Sequence, residues 1–379
     1  MQSFRLAIVR QHYRPDGGAE RIIQRMLDGF GRSLDVSIVT QGWQVPADSG
    51  LQVIPVRKRG WSRSSRFRHF VTDVQAVLLQ QRFDLVQSHE RVPGCQVYRA
   101  GDGVHAEWLR IRAEYQLGTL GRWWQGVDPF HRAVLAAEAD MFAHSALQKV
   151  VCISERGRQD ILRHYPMVDP GKLVLVYNGI DLEKHMPSPL DVQARVKVAW
   201  GYAAVTPVAM FVGSGFERKG LAVLLQALAQ TTDWHLVVVG KDKYQRNFER
   251  AAQQLGIASR VRFVGMQTNM NECYALADLL VHPAWYEPFG NVVLEAMAHG
   301  RGVLVSSQCG SGELVRDGQN GYVFHAGDAQ QLASLLESCK DRTVLETLGA
   351  DARRTAEQYP IARMVGTLVD TYRSLLAGI

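Results

Sequence analysis

Residues 283–300 read Pro283-Ala284-Trp285-Tyr286-Glu287-Pro288-Phe289-Gly290-Asn291-Val292-Val293-Leu294-Glu295-Ala296-Met297-Ala298-His299-Gly300. The apolar run Leu279 to His282 before them has the length and composition of a buried strand. Asn291 is a good helix N-cap and Gly300 a helix stop. The stretch therefore predicts strand, loop and helix in succession, with Glu287 on the loop and Glu295 about one turn inside the helix. Carboxylates so placed suit the paired hydroxyls of a sugar or ribose, while the N–H groups at a helix start attract phosphate. Taken alone, Glu295 reads first as an acid in the N-terminal half of a helix, favoured by the helix dipole.

The same alternation runs along the chain. Short apolar, β-branched-rich runs recur at Leu6 to Val9, Val36 to Thr40, Leu85 to Gln87, Val150 to Ile153, Leu173 to Tyr177, Val208 to Val212, Leu236 to Val239, Val261 to Val264 and Val303 to Ser306. Between many of them lie segments with helical spacing, such as Ile23, Met26, Leu27 and Phe30, or Leu221, Leu224, Leu225 and Leu228. Strands alternating with helices imply right-handed βαβ crossovers and parallel sheets covered on both faces, an α/β class. Turn signals at Tyr177-Asn178-Gly179 and Met186-Pro187-Ser188-Pro189 place the division into two doubly wound domains between Asn178 and Val205. In open parallel sheets ligands bind beyond the carboxyl ends of the strands, so the loops there are candidate site walls.

Two of those loops carry chemistry. The first strand runs into Arg10 and then Gly17-Gly18 before a helix; it lacks the G-x-G-x-x-G spacing of a dinucleotide site. The strand at Val208 to Val212 runs into Gly213-Ser214-Gly215-Phe216-Glu217-Arg218-Lys219-Gly220. An Arg-Lys pair at such a mouth can neutralise a diphosphate, Arg as a fork of donors and Lys as a compact charge, and it is no Walker sequence. A solvated surface pair is the alternative.

The chain has 379 residues, 46% hydrophobic and 21% charged, which excludes a disordered chain or a small disulfide scaffold and leaves room for two cores. Residues 1–180 hold 24 Lys and Arg against 17 Asp and Glu, and the rest 19 against 20, so the formal charge of +6 lies in the first half. That half is suited to something anionic: nucleic acid, a membrane surface or a phosphorylated substrate. Five scattered cysteines form no C-x-x-C pair, which fits a reducing cytoplasm. The apolar run at the start breaks at Arg10, and no stretch nears the roughly 18 apolar residues of a membrane span.

The run Glu287 to Gly300 resembles the E-x7-E signature of retaining glycosyltransferases of family 4, which have the GT-B fold. The resemblance takes in Gly17-Gly18, Gly213-Ser214, Arg218-Lys219, Asn178-Gly179-Ile180-Asp181, and Glu313 followed by Asp317-Gly318-Gln319-Asn320-Gly321. Within the family, Val39 to Trp43, Phe216 to Gly220 and Arg99 to Glu107 are most similar to the bacterial lipopolysaccharide core α-1,3-glucosyltransferases. It implies two Rossmann-like domains facing across a cleft: residues 1–180 for the acceptor, 181–357 for the nucleotide sugar, and a helix over 358–379 returning to the first domain. It implies transfer of a hexose, glucose from UDP-glucose, to a lipid-linked acceptor, the heptose of the lipopolysaccharide inner core.

The resemblance also implies roles. Glu295 would hold the ribose, and Glu287 would face the donor sugar with the backbone of Phe289, Gly290, Asn291 and Val292 nearby. Arg218 and Lys219, beside Gly213, would grip the diphosphate and replace a metal; Gly17 and Gly18 would close on the donor. Val264, Gly265 and Met266 would lie near the base. Asp102 or His105 would stand beside the reacting sugar, the local pattern favouring Asp102. No Asp-x-Asp pair occurs, so neither metal nor cofactor is expected. A relative using GDP-mannose or UDP-N-acetylglucosamine, or a non-catalytic membrane- or RNA-binding protein, are the competing readings.

Residues 57–69 contain six Lys or Arg and no acid, and Trp123-Trp124 follows beside Arg122. Cations interleaved with Trp suit an anionic membrane, or RNA, or form a solvated face. With a phosphorylated glycolipid as acceptor, the expectation is that Arg63, Arg66, Arg68, Trp123 and Trp124 dock the first domain on the inner face of the cytoplasmic membrane or on acceptor phosphates, with no nucleic acid as partner.

Overall fold

The computed structural model describes residues 4–12, 18–30, 34–43, 51–115 and 118–377. It divides into two compact units, Met1–Gly179 with Ile361–Ile379, and Ile180–Pro360. The first unit contains, in order, β1 (Arg5–Val9), α1 (Gly18–Phe30), β2 (Asp35–Thr40), β3 (Gln52–Pro55), α2 (Arg63–Gln80), β4 (Leu85–Ser88), β5 (Val97–Arg99), α3 (His105–Tyr115), α4 (Thr119–Val127), α5 (Pro129–Ala143), β6 (Lys149–Cys152), α6 (Glu155–His164) and β7 (Leu173–Leu175). The second contains α7 (Leu190–Ala199), β8 (Val208–Val212), α8 (Leu221–Leu228), β9 (His235–Val239), α9 (Gln245–Gln254), β10 (Val261–Gly265), α10 (Met270–Leu276), β11 (Leu279–His282), α11 (Asn291–Ala298), β12 (Gly302–Ser306), β13 (Gly321–Phe324), α12 (Ala329–Ser338) and α13 (Arg342–Ala356). The chain then enters α14 (Ile361–Ala377), which belongs to the first unit.

Both sheets are wholly parallel among the described residues. Their orders are β3-β2-β1-β4-β5-β6-β7 and β10-β9-β8-β11-β12-β13, the doubly wound pattern in which the order reverses beside the first strand of each unit. Alternation explains the layering. In β1, Leu6 and Ile8 enter one core with α1 and α14, while Ala7 and Val9 enter the core on the other face with Phe70 and Val74 of α2. Helix α8, apolar nearly all round, is buried at six of its eight positions against Phe211 and Trp234. All five cysteines are free and buried. Among the described residues no helix is long and apolar enough to cross a membrane.

A buried ion pair ties the start of the two central strands of the second unit to α7. Lys197 Nζ lies 2.6 Å from Asp278 Oδ2, with 3% and 5% of the side chains exposed, and Val208 N donates to the same carboxylate at 2.8 Å. Burial lowers the Lys197 pKa although Asp278 opposes it. Removing the acid leaves an uncompensated ammonium and an orphaned backbone N–H. Asp278→Ala is expected to cost about 3–5 kcal/mol of stability. Lys197→Met, which leaves the carboxylate its N–H partner, costs less. Denaturant unfolding of both variants measures the difference, and equal or negligible losses would remove this role.

Candidate active site

Strands β8 and β11 are neighbours at the reversal point of the second sheet, so the loops leaving their carboxyl ends lie side by side. The contact is close because Gly220, at φ 73°, carries no Cβ; one built there would stand 1.9 Å from the Pro283 carbonyl oxygen. Trp285 N donates to Arg218 O at 2.9 Å, and Arg218 Nη1 donates to Tyr286 O at 2.7 Å. The two loops are thus laced by one main-chain bond and one guanidinium bond to a carbonyl.

The charges then converge on one oxygen. Glu287 Oε2 lies 2.8 Å from Lys219 Nζ, 3.3 Å from Arg218 Nη1 and 3.7 Å from His282 Nε2. Burial alone would raise the Glu287 pKa, but Lys219 and Arg218 outweigh it and hold the carboxyl well below the usual carboxylate range. Its backbone is fixed from both sides, Glu287 N donating to Gln308 O at 3.1 Å and Gly310 N to Glu287 O at 2.9 Å. One carboxylate therefore holds two cations at a strand-end crevice.

Helix α11 begins differently from the sequence expectation. Asn291 is the first helical residue and Gly290 the cap, in a left-handed conformation with φ 87° and no side-chain cap bond. A Cβ at Gly290 would stand 2.9 Å from Cys309 Sγ, so crowding as well as φ requires glycine. Phe289, 1% exposed, points its carbonyl at Ser311 N (2.7 Å) and at the Cys309 thiol (3.0 Å). The helix stop at Gly300 is as the sequence predicts, with φ 68° and Arg301 N bonded to Ala296 O. Val292 follows in the first turn, and Glu295, 2% exposed, accepts a bond from the Tyr274 hydroxyl at 3.1 Å. Tyr274 in turn stacks on His299 at 4.6 Å.

The ends of β8, β9 and β10 meet as well. Gly213 follows β8, and Gly213 N donates to Val239 O while Gly240 N donates to Gly265 O. This sets Val264, Gly265 and the 40% exposed Met266 on the same edge of the sheet as the Arg218-Lys219 loop. Among the described residues no group of three or more His, Cys, Asp or Glu side chains converges to hold a metal ion.

In the first unit the reversal point lies between β1 and β4. Gly17 falls outside the described residues, and Gly18 opens α1. Arg10, just past β1, bonds Asp102 at 2.9 Å and lies 3.3 Å from Glu90, which follows β4. Burial raises the Glu90 pKa although Arg10 opposes it. Asp102 thus belongs to the reversal-point cluster. His105 starts α3, its Nε2 3.2 Å from His131 Nδ1, with its pKa lowered to about 4 by burial and by Arg91. Its backbone N–H is held by buried Glu138, itself paired with Arg91 at 2.7 Å. Arg63, Arg66, Arg68, Trp123 and Trp124 are exposed, on α2 and α4, and both helices pack on α5. Arg63 also lies over the Phe130 ring at 3.6 Å. Trp124 lines a concavity of about 450 Å³ with Arg112, Gln125, Asp128 and His131.

Several side chains here were not singled out from the sequence: His282, Tyr274, Cys309, Arg10 and Glu90. Arg10 and His282 had a signal, each standing at the carboxyl end of a central strand, where polar residues face the crevice. Tyr274 and Cys309 reach the site from elements far away in sequence and had none.

The profile of glycosyltransferase family 4 matches residues 16–184, and that of glycosyl transferases group 1 matches residues 197–355. The chain is 28% identical over 353 residues to the lipopolysaccharide glucosyltransferase WaaG of Escherichia coli K12, spanning 90% of this chain and 91% of that one. It is 30% identical over 315 residues to a D-inositol 3-phosphate glycosyltransferase of Streptomyces scabiei, covering 77% and 68%. The crystal structure of WaaG superposes with a TM-score of 0.84 at 26% identity, over 97% of this chain and 99% of that one. With its two doubly wound units and its paired cations at the second reversal point, the chain belongs to glycosyltransferase family 4 and is a glycosyltransferase of the GT-B fold.

Proposed function

We propose that this glycosyltransferase transfers glucose from UDP-glucose, with retention at the anomeric carbon and without a metal ion or other cofactor, to a heptose of a lipopolysaccharide inner core. The observation that carries this is the pair Arg218 and Lys219 held against Glu287 at a strand-end crevice. Two fixed cations match a diphosphate, and they stabilise the charge that grows on it as the bond from the anomeric carbon to the phosphate oxygen breaks. The acceptor oxygen bonds to the same face of that carbon, and its proton passes to the departing phosphate oxygen. Glu295 accepts bonds from the ribose hydroxyls, and Glu287 faces the donor sugar beside the backbone of Phe289, Gly290, Asn291 and Val292. Val264, Gly265 and Met266 flank the base. In the first unit Asp102 or His105 lines the reacting sugar, and the Arg10–Asp102 bond at a reversal point favours Asp102. The near full-length likeness to a lipopolysaccharide glucosyltransferase supports the choice of glucose and of a lipopolysaccharide acceptor.

Incubation with UDP-glucose, GDP-mannose and UDP-N-acetylglucosamine against heptosylated lipid A tests this reading. Glucose transfer to an α-linked product, unchanged by EDTA, is the expected result; transfer from another donor only would replace it. Lys219→Ala is expected to lower kcat by about 100- to 1,000-fold, the usual cost of one preorganised charge donor. A kcat within twofold of the parent would remove Lys219 from the reaction.

We further propose that the exposed Arg63, Arg66, Arg68, Trp123 and Trp124 seat the enzyme on the anionic inner face of the cytoplasmic membrane, where the phosphorylated glycolipid acceptor resides, with no role for nucleic acid. Each cation near such a surface contributes about 1 kcal/mol. Cosedimentation should therefore favour vesicles containing anionic lipid, and Arg66→Ala with Arg68→Ala should weaken partitioning roughly 30-fold. Equal binding to neutral and anionic vesicles would overturn membrane docking.

A further inference from the structure

His282 ends β11 directly behind the ion cluster. Its side chain is fully buried, and among the described residues neither ring nitrogen has a hydrogen-bond partner. A buried polar group left unpaired is destabilising. This one belongs to the side-chain type that changes charge near neutrality. Its Nε2 lies 3.7 Å from Glu287 Oε2, just beyond hydrogen-bond reach, on the oxygen that Lys219 and Arg218 already share. Those two cations face it from the loop after β8, and Glu287 faces it from the loop after β11. Cys309, the remaining titratable group against Glu287 among the described residues, is pushed up to about 12 by burial and stays neutral. Burial lowers the His282 pKa, so the imidazole is neutral at pH 7.

We propose that His282 is a positioning residue for the donor: it takes up a proton as the diphosphate of a nucleotide sugar binds Arg218 and Lys219, and then hydrogen-bonds the Glu287 carboxylate in place of Lys219. This rests on the donor site assigned above. Two cations, one carboxylate and a neutral imidazole carry one net positive charge. The two charges of a diphosphodiester turn that to one net negative, in a buried setting where an unmatched charge is costly. A proton from solvent on His282 restores neutrality. It gives the carboxylate a donor at the moment its lysine turns to phosphate, so Glu287 keeps its place against the sugar. Because the loaded state then has the higher His282 pKa, donor affinity rises as pH falls between the free and loaded values, and is lost as pH rises through the loaded one.

Calorimetry of UDP-glucose binding to the full chain, in buffers of different ionisation enthalpy, counts the protons directly, since this donor has no group that titrates near neutrality. Uptake of up to one proton is expected, with affinity rising by up to about tenfold per pH unit of acidification within the window. His282→Asn should abolish both the uptake and the slope. If that variant fails to fold, spectra of the parent protein with isotope-labelled histidine serve instead: one imidazole should become imidazolium on adding UDP-glucose. Zero uptake, uptake that survives His282→Asn, or unaltered imidazole signals overturn the proposal while leaving the donor site standing. Failure of UDP-glucose, GDP-mannose and UDP-N-acetylglucosamine all to bind would instead remove the donor site, and this role with it.

Discussion

The second unit's chemistry depends on one steric fact: the main chain at Gly220 touches the carbonyl of Pro283. Strands β8 and β11 are adjacent only because the sheet order reverses there, and their loops diverge from that point to opposite faces of the sheet. Without glycine at the crossing the loops would stand apart by at least a methyl group. The main-chain bond from Trp285 to Arg218, and the guanidinium bond to Tyr286, would stretch with them. Glu287 reaches both cations across that seam, so its depressed pKa is a consequence of backbone packing. Electrostatics at this site is the last layer, set on a scaffold that sterics has already fixed.

The two units use the same strand order to opposite electrical effect. At the second reversal point two cations share one acid. At the first, Arg10 is shared by two acids, Glu90 and Asp102, and burial keeps the Glu90 carboxyl from ionising as readily as it would in water. A crevice of the first kind is suited to anions and one of the second kind to hydroxyls, since carboxylates accept the bonds that hydroxyls offer. The net charge of the chain follows the reverse pattern, with its excess of cations in the first half. Some of those cations stand on exposed helix surfaces, Arg63, Arg66 and Arg68 of α2 among them. Bulk charge and site charge are therefore separate properties of the same unit.

Much of the architecture was legible from hydrophobic runs. Ten such runs correspond to β1, β2, β4, β6 to β12; most are buried on both faces and so continuously apolar, while β7 and β10, at sheet edges, are only partly buried yet keep apolar runs. The strands that escaped were those where this logic weakens. β3 lies on a sheet edge, is four residues long and has only Ile54 buried; β5 is three residues long and includes Arg99, whose buried guanidinium is matched by Asn178 at 2.5 Å, a partner far away in sequence; β13 begins with Gly321, pressed against Val303. The loop-helix segment at 287–300 was legible in outline, since Glu and Gly are placed by local rules. Asn291 was not a cap because the crowding that makes Gly290 the cap comes from Cys309, some twenty residues on. His282 carried no periodic signal: its meaning depends on what its ring fails to touch.

Helix α14 sets an order on the making of this protein. Met364, Leu368 and Tyr372 lie in the same core as Leu6, Ile8 and Met26, and the Tyr372 hydroxyl bonds Gln87 at 2.7 Å. During synthesis those partners leave the ribosome first and wait for the intervening unit, residues 180–360, to be translated. That unit is continuous in sequence and has all its own strands and helices, so it can close while the earlier one still exposes the groove that α14 fills. The N-terminal sheet is thus the first to be made and the last to be finished. In the interval its apolar face, not yet covered by α14, is open to aggregation.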